Sequence, residues 1–236
     1  MRSDAIRSVR LQLLVTAAAL ATVVAVFAVR GLPPTLNVII AIEYHNLVET
    51  RRSLNWGTDV NRRAMVSVYS GPYSETLLHS AATYRDRPIA ELLLERGADV
   101  SAVTDYNRTP LGEAAGRGDL DMLSLFLDHG ADRLELALVR ATICGQTEAA
   151  RLLLDRGADV NGQVETEYRT TEAALHAAAR NGTSGVIEYH DLVRLLLARG
   201  ARIDARNADG LTPLQLAVEH ERTSIAGLLR RHGATE

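Results

Sequence analysis

The sequence is poor in cysteine, lysine and aromatic residues. It contains one cysteine, Cys144, and no lysine, and aromatic residues make up only 4% of its 236 residues. A single cysteine excludes an intramolecular disulfide and every zinc site built on cysteine pairs. No glycine-rich phosphate loop, no His-x-x-x-His pair with a glutamate and no Gly-x-Ser-x-Gly motif is present. We therefore expect no catalytic site, no metal and no cofactor.

Positive charge is also in short supply. Residues 1–30 hold four arginines and one acid, which leaves 22 arginines against 28 acids, a formal charge of −6, for the remainder. Such a surface repels phosphate groups, so we expect neither a nucleic acid nor an anionic membrane face as partner of this part. The lack of lysine with abundant alanine is typical of GC-rich bacterial genomes. The composition therefore predicts a bacterial protein.

One tripeptide recurs along the chain. Gly-Ala-Asp stands at 97–99, 130–132 and 157–159, with degenerate copies at 57–59 and 200–202. The spacings between the five glycines are 40, 33, 27 and 43, and a further 33 residues lead to Gly233. A period near 33 residues indicates one supersecondary unit copied in tandem.

A second motif keeps a fixed distance from the first. Thr-Pro-Leu occurs at 109–111 and 212–214, related segments occur at 76–79 and 173–176, and a pair of small residues follows each one. Threonine is a good helix N-cap, and proline fits the first helical position, where its missing N–H is not needed. Glycine ends a helix by adopting positive φ. Each unit is therefore predicted to be two helices closed by glycine.

This pattern resembles the ankyrin repeat, in which Thr-Pro-Leu-His-x-Ala-Ala opens two helices and Gly-Ala-Asp-Val-Asn follows them. The resemblance covers about residues 36–236 and implies an all-α solenoid of about six helix-turn-helix units. The units span 36–61, 76–101, 109–132, a shortened one ending at 161, 173–204 and 212–235.

The spacing also shows where units depart from the pattern. The 27-residue interval means that the turn before the fourth unit has lost about six residues. The turns at 62–75 and 162–172 are enlarged, and six extra residues separate the two helices of the fifth unit, around 183–191. Long surface segments of this kind often carry function.

The N-terminus has a different composition and is predicted to be a signal anchor, residues 1–30, joined by a short linker at 31–35. Three arginines precede nineteen uncharged residues, 11–29, whose helix of about 28 Å would cross a hydrocarbon layer of about 30 Å. The arginines orient the N-terminus to the cytoplasm, which predicts a single-pass membrane protein with a periplasmic repeat domain. Cleavage after 26–28 and release into the periplasm is the alternative.

Few side chains suggest chemistry. The resemblance assigns His79 and His176 to hydrogen bonds between neighbouring units. Residues 188–191, Glu-Tyr-His-Asp, have the side chains of a metal or acid–base site, but neighbours on a helix point in different directions, so only a loop would bring them together. Cys144 is interpreted as an idle thiol, with an intermolecular or redox role as the alternative.

The resemblance places the binding surface on the concave face, at the turn tips and at the two residues that follow Ala-Ala. Four of the seven tyrosines fall there, in the first three units, and tyrosine and arginine are enriched at interface hot spots. The candidate protein-binding residues are Tyr44, Tyr73, Tyr84, Asp105, Tyr106, Arg108, Arg117, Arg180 and Asn181.

The sequence thus predicts a membrane-tethered, non-catalytic adaptor that binds an unidentified protein partner through its concave face. Two alternatives stay open at this point. One is a secreted or periplasmic protein with a stress-protective or toxin-immunity role. The other is a metal-dependent enzyme that uses the insertion at 183–191.

Overall fold

The structure, a computed structural model, describes residues 34–68, 71–166, 170–181 and 187–235. Over these residues the chain forms six consecutive helix pairs, which confirms the repeat solenoid expected from the spacing. The pairs are α1 (Pro34–Glu43) and α2 (Leu47–Asn55), α3 (Leu77–Tyr84) and α4 (Arg87–Glu95), α5 (Pro110–Gly116) and α6 (Leu120–Asp128), α7 (Leu134–Ile143) and α8 (Thr147–Asp155), α9 (Ala174–Asn181) and α10 (Ile187–Ala198), and α11 (Pro213–Glu219) and α12 (Thr223–Arg231).

The first helix of each pair, called the inner helix here, packs against the inner helices of the adjacent units. These contacts are more extensive than those between the second, outer helices. Small residues explain the close approach, since the paired alanines of α3, α5 and α9 are fully buried. The inner helices form the side of the stack on which the resemblance places the concave face.

Side-chain caps and glycines set the helix ends. Thr109 and Thr212 accept hydrogen bonds from the third backbone N–H of α5 and α11, and Asp86 and Asp119 do the same for α4 and α6. Gly97 follows α4 with a φ of 83°, a conformation that side chains other than glycine rarely adopt. The predicted start and stop signals are therefore the ones that the fold uses.

One hydrophobic core runs through all six units, from Val38 to Leu229. Leu153 of α8 and Leu196 of α10 are 0% exposed. The sequence placed both in buried apolar runs of outer helices, so the register assumed for the fourth and fifth units is confirmed.

The two enlarged turns are β-hairpins, which add short strands to the all-α solenoid. Strands β1 (Arg63–Val68) and β2 (Gly71–Thr76) pair antiparallel, with Arg63 opposite Thr76. A shorter hairpin joins β3 (Val164–Glu165) to β4 (Thr171–Glu172). Extra residues in these turns allow backbone N–H and C=O groups to bond across the turn, which the helix-based pattern did not reveal.

Polar side chains link the glycine turns of successive units. Asn61 bonds the Gly97 carbonyl and the Asp99 N–H of the next unit, and Asn161 does the same at Gly200 and Arg202. The shortened connection before the fourth unit lacks such an asparagine. There Glu135, in the first turn of α7, accepts the Asp159 N–H at 3.0 Å instead.

The prediction of a single-pass membrane protein with a periplasmic repeat domain is corrected. In the part of the chain that the structure describes, no helix combines the length and the apolar character needed to cross a membrane. The predicted transmembrane helix at 11–29 and the anchor at 1–30 lie outside the described residues.

Candidate protein-binding face

Two of the candidate tyrosines occupy equivalent positions on adjacent inner helices. Tyr44 follows α1 and is 54% exposed, and Tyr84 ends α3 and is 39% exposed. Each is followed by a residue in the left-handed conformation, His45 or Arg85. The His45 ring meets the Tyr84 ring edge to face, with centroids 6.4 Å apart. Aromatic surface is therefore exposed on the concave face of the first two units.

The two left-handed residues, His45 and Arg85, also link neighbouring units beside these tyrosines. His45 Nδ1 lies 2.8 Å from Asp86 Oδ2, and Arg85 Nε lies 3.2 Å from Asp119 Oδ2. Both aspartates also cap the outer helix of their own unit. Each link thus ties one unit to the next beside a tyrosine position.

The turn tips contribute polar groups that already have partners. Asp105 is exposed and accepts hydrogen bonds from Ser74 N at 3.1 Å and Ser74 Oγ at 2.8 Å, which hold the pKa of its carboxyl below the usual range. Tyr106 is half-buried beside it. Tyr73 lies in β2 opposite Val66. Asp105 consequently joins the third unit's turn to the first hairpin.

The candidate arginines differ in their surroundings. Arg108 and Arg180 are mostly buried and pair with the buried carboxylates of Glu113 and Glu172. Asn181 donates to the Ala177 carbonyl at 2.9 Å. The exposed arginine of the set is Arg117, at the end of α5. Arg117 is thus the one whose guanidinium is best placed to meet a partner.

His79 joins two units, as the resemblance implied. It is 1% exposed, its Nε2 lies 3.0 Å from the Arg108 carbonyl, and its Nδ1 accepts from Thr76. The proton is therefore on Nε2. Burial is the main cause that lowers the pKa of His79 to about 4.

This lowered pKa predicts loss of stability in acid. The fold favours the neutral ring of His79. The resulting contribution to the free energy of unfolding is complete above about pH 6.5 and is lost as the pH falls towards 4. The loss amounts to up to about 3 kcal/mol. His79→Gln should remove this part of the pH dependence of the free energy of unfolding, since Gln215 fills the same place in the sixth unit and bonds Thr212 N at 2.9 Å. Urea titrations of the parent and of His79→Gln between pH 4 and 7 measure the free energy of unfolding at each pH. An unchanged pH dependence in His79→Gln would contradict the assignment.

His176 makes the corresponding bond to the Ala205 carbonyl at 2.9 Å, but its buried Nδ1 has no partner among the described residues. The reason is local, because Ala173 stands at the N-cap position where the second unit has Thr76. Ala173→Thr should raise the free energy of unfolding by about 1 kcal/mol by capping α9 and supplying a hydroxyl to Nδ1. Thr76→Ala, the matched reverse change, should lower it by a similar amount. Thermal or urea unfolding of the two variants checks both signs.

The insertion in the fifth unit does not assemble a metal or acid–base site where the structure describes it. From Ile187 onward it is part of α10, so Tyr189, His190 and Asp191 point in different directions. Tyr189 donates to the Ile143 carbonyl at 2.7 Å, His190 meets Ser224, and Asp191 pairs with Arg194. No group of three potential metal ligands occurs among the described residues.

Sequence reasoning missed a cavity between the third and fourth units, which we call the notch. It lies between α5 and α7, and Thr166 of the second hairpin forms part of its lining. The sequence placed the enlarged turn at 162–172 but did not show that it reaches the third unit, where Asn107 donates to the Glu165 carbonyl. The notch is lined by Asn107, Arg108, Thr109, Gly112, Glu113, Leu136, Val139, Arg140, Ile143 and Thr166.

Comparison with known proteins agrees with the architecture. The family model described as "Ankyrin repeats (3 copies)" matches residues 78–164 and again residues 162–235. The Nuclear factor NF-kappa-B p105 subunit of Gallus gallus is 30% identical over 80% of the chain, and Cyclin-dependent kinase 4 inhibitor B of Homo sapiens is 33% identical over 51%. Ankyrin repeat protein nuc-2 of Neurospora crassa is 30% identical over 66%.

The extent of these matches differs between relatives. The chain aligns with 19% of the chicken protein, 14% of the fungal protein and 84% of the human inhibitor. These relatives are eukaryotic, and the bacterial origin inferred from composition stays a prediction. Ankyrin repeats generally mediate protein–protein interaction without catalysis. With the family model covering well over half of its length, the chain belongs to the ankyrin repeat family.

Proposed function

We propose that the chain is a non-catalytic adaptor that binds one protein partner on its concave face, mainly through the first three units. The observation that carries this proposal is the pair of exposed tyrosines, Tyr44 and Tyr84, at equivalent positions of adjacent inner helices. A tyrosine ring buries a large area at a small cost in conformational entropy, and its hydroxyl accepts or donates a hydrogen bond.

Membership of the family and the name of one relative support the proposal. Cyclin-dependent kinase 4 inhibitor B is named for acting on another protein, and the chain matches most of that relative's length. The partner of this chain is a protein of unknown identity. The sequence-predicted contacts at Tyr73, Asp105, Tyr106, Arg108, Arg180 and Asn181 belong to the same proposed surface, with Arg108 and Arg180 acting through the groups they position.

Substitution of the two tyrosines should weaken partner binding without lowering the stability of the fold. Replacing Tyr44 and Tyr84 by Ala should change the free energy of unfolding by no more than about 0.5 kcal/mol each, because both are exposed, and should weaken partner binding by about 2 kcal/mol each. The matched control is Val48→Ala with Trp56→Ala, since these side chains are 72% and 74% exposed but belong to the outer helix α2 and its C-cap.

The partner itself is obtained by a photo-crosslinking residue placed at position 84 of the full chain and, separately, at position 56. A protein that crosslinks from position 84 and not from 56, and whose affinity falls in the tyrosine variant, supports the proposal. Equal crosslinking from both positions, or equal affinity of the tyrosine variant and the control, would show that the concave face is not the binding site.

A further inference from the structure

Two exposed charges of opposite sign lie on either side of the tyrosine pair in the order of the stack. Glu43 is the last residue of α1, next to Tyr44, and Arg117 is the C-cap of α5. Arg117 precedes Gly118, whose φ is 65°, just as Tyr84 precedes a left-handed residue. Along the successive inner helices α1, α3 and α5 the order is therefore a carboxylate, two phenol rings and a guanidinium. We call Glu43, Tyr44, Tyr84 and Arg117 the tyrosine row.

The two end charges of the row differ from the other ionisable groups beside the tyrosines. Glu43 and Arg117 are exposed, and within the described part of the chain no side chain forms an ion pair with either. The ion pairs next to the row are His45 with Asp86 and Arg85 with Asp119. The end charges thus keep their capacity to pair with groups of a partner.

Both end charges act on the hydroxyl of Tyr84. Burial is the main cause that raises the pKa of Tyr84, the charge of Glu43 adds to that rise, and the charge of Arg117 opposes it. A further carboxylate near this hydroxyl, Glu75, is 6% exposed and accepts from Ser80 Oγ at 2.6 Å, so it is not offered to a partner. Because exposed charges act over short distances in salt solution, the row is one continuous surface, negative at its first end and positive at its last.

We propose that the partner segment runs along the stack, with a basic side chain on Glu43, an apolar side chain over the two tyrosines and a carboxylate on Arg117. Complementary charges of this kind fix the direction and register of a partner. Arginine suits a carboxylate because its planar fork donates two parallel hydrogen bonds. This inference rests on the proposed function and adds the order of charges that the partner segment carries.

The length of the segment follows from helix packing. Helices that pack about 8–10 Å apart place the axes of α1 and α5 about 16–20 Å apart. An extended chain covers that distance in about five or six residues. The basic and acidic residues of an extended partner segment should therefore be separated by about that number.

The test uses the full chain and a displayed library of random, unmodified peptides. Peptides that bind the parent are retained only if they bind Tyr84→Ala more weakly, so that the retained peptides use the concave face. We expect them to carry a basic and an acidic residue on opposite sides of an apolar one. Glu43→Arg and Arg117→Glu should each weaken their binding by about tenfold or more, because each reversal replaces an attraction by a repulsion.

Matched changes in the peptide show which charge meets which. Replacing the basic residue of the peptide by Glu should restore binding to Glu43→Arg and not to Arg117→Glu. Replacing the acidic residue by Arg should restore binding to Arg117→Glu and not to Glu43→Arg. A cycle of this kind isolates the interaction between the two groups that are changed together.

The controls are Glu148→Arg and Arg151→Glu, which make the same changes of charge on the outer helix α8, where the two residues pair with each other. Each should change the affinity by less than about twofold, since exposed pairs away from a contact contribute little. Equal effects of the end-charge variants and the controls would overturn the inference. Restoration of both end-charge variants by the same peptide change would overturn it as well.

Failure of the inference can be distinguished from failure of the proposed function. If the retained peptides ignore both charge reversals, the proposed function stands and only the order of charges is wrong. If the library yields no peptide that distinguishes the parent from Tyr84→Ala, the proposed function is wrong and the inference fails with it.

Discussion

Replacing Arg180 by Met should lower the free energy of unfolding at neutral pH by about 1–3 kcal/mol, since it leaves the buried carboxyl of Glu172 without its hydrogen-bonding partner. Arg180 pairs with Glu172, which is 0% exposed and whose second oxygen, Oε2, has no partner among the described residues. Burial is the main cause that raises the pKa of Glu172 to about 7, and Arg180 opposes that rise. Urea unfolding followed by circular dichroism measures the loss.

The pH dependence of this loss follows from the direction of the shift. Because the folded-state pKa of Glu172 lies above its ordinary 4.5, the protonated form is the one that the fold favours, and its stabilising contribution is lost as the pH rises from 4.5 to 7. Without Arg180 the pKa rises further. The difference between Arg180→Met and the parent should therefore shrink as the pH falls to 5, where the carboxyl is neutral.

Two further variants separate charge from packing. Glu172→Gln combined with Arg180→Met should recover most of the stability, because no charge remains buried. Arg194→Met removes an exposed arginine that pairs with Asp191 at 2.9 Å, and should cost less than about 0.5 kcal/mol. A loss below about 1 kcal/mol in Arg180→Met would mean that the guanidinium is available for a partner, as the sequence suggested.

Truncating Leu153 to Ala should cost about 2–5 kcal/mol, and the same change at Leu196 a similar amount, since both side chains are 0% exposed and leave a cavity. Stability in a repeat protein is approximately a sum over units and their interfaces. Damage in the fourth or fifth unit should therefore uncouple the first units from the last. Hydrogen exchange would show this as faster exchange in α7 to α10 than in α3 to α6.

Leu120→Ala provides the matched control, because this leucine is 40% exposed at the start of α6 and should lose less than about 1 kcal/mol. Equal losses at Leu120 and Leu153 would contradict the register of the fourth unit. A single cooperative transition in Leu153→Ala would argue against uncoupling of the two ends.

The repeats were predictable because each motif has a local physical role. Threonine caps, glycine at positive φ and buried alanine pairs recur at fixed offsets, so a few residues determine each unit. Leu153 and Leu196 could be placed for the same reason. The enlarged turns could be located by counting, but their pairing as hairpins depends on backbone bonds that no residue type specifies.

The candidate site was less predictable, since exposure depends on what packs around a residue. Tyr44 and Tyr84 follow the Ala-Ala position and are exposed, as that position implies. Arg180 has the same kind of position, yet it turns towards Glu172, a carboxylate in the enlarged turn whose path the sequence did not reveal. The notch is lined in part by Thr166 of the second hairpin, whose path the sequence likewise did not reveal.

The shortened connection has a consequence for how the repeats could be exchanged between proteins. Glu135 substitutes there for an asparagine, and a Cβ on Gly162 would lie only 2.5 Å from Glu135 Cγ. The short connection, Glu135 and Gly162 therefore form one set that duplication or recombination must transfer together. A crossover between α8 and β3 would separate Gly162 from Glu135 or join Glu135 to a bulkier residue. The fourth unit and the turn that follows it thus behave as one genetic module.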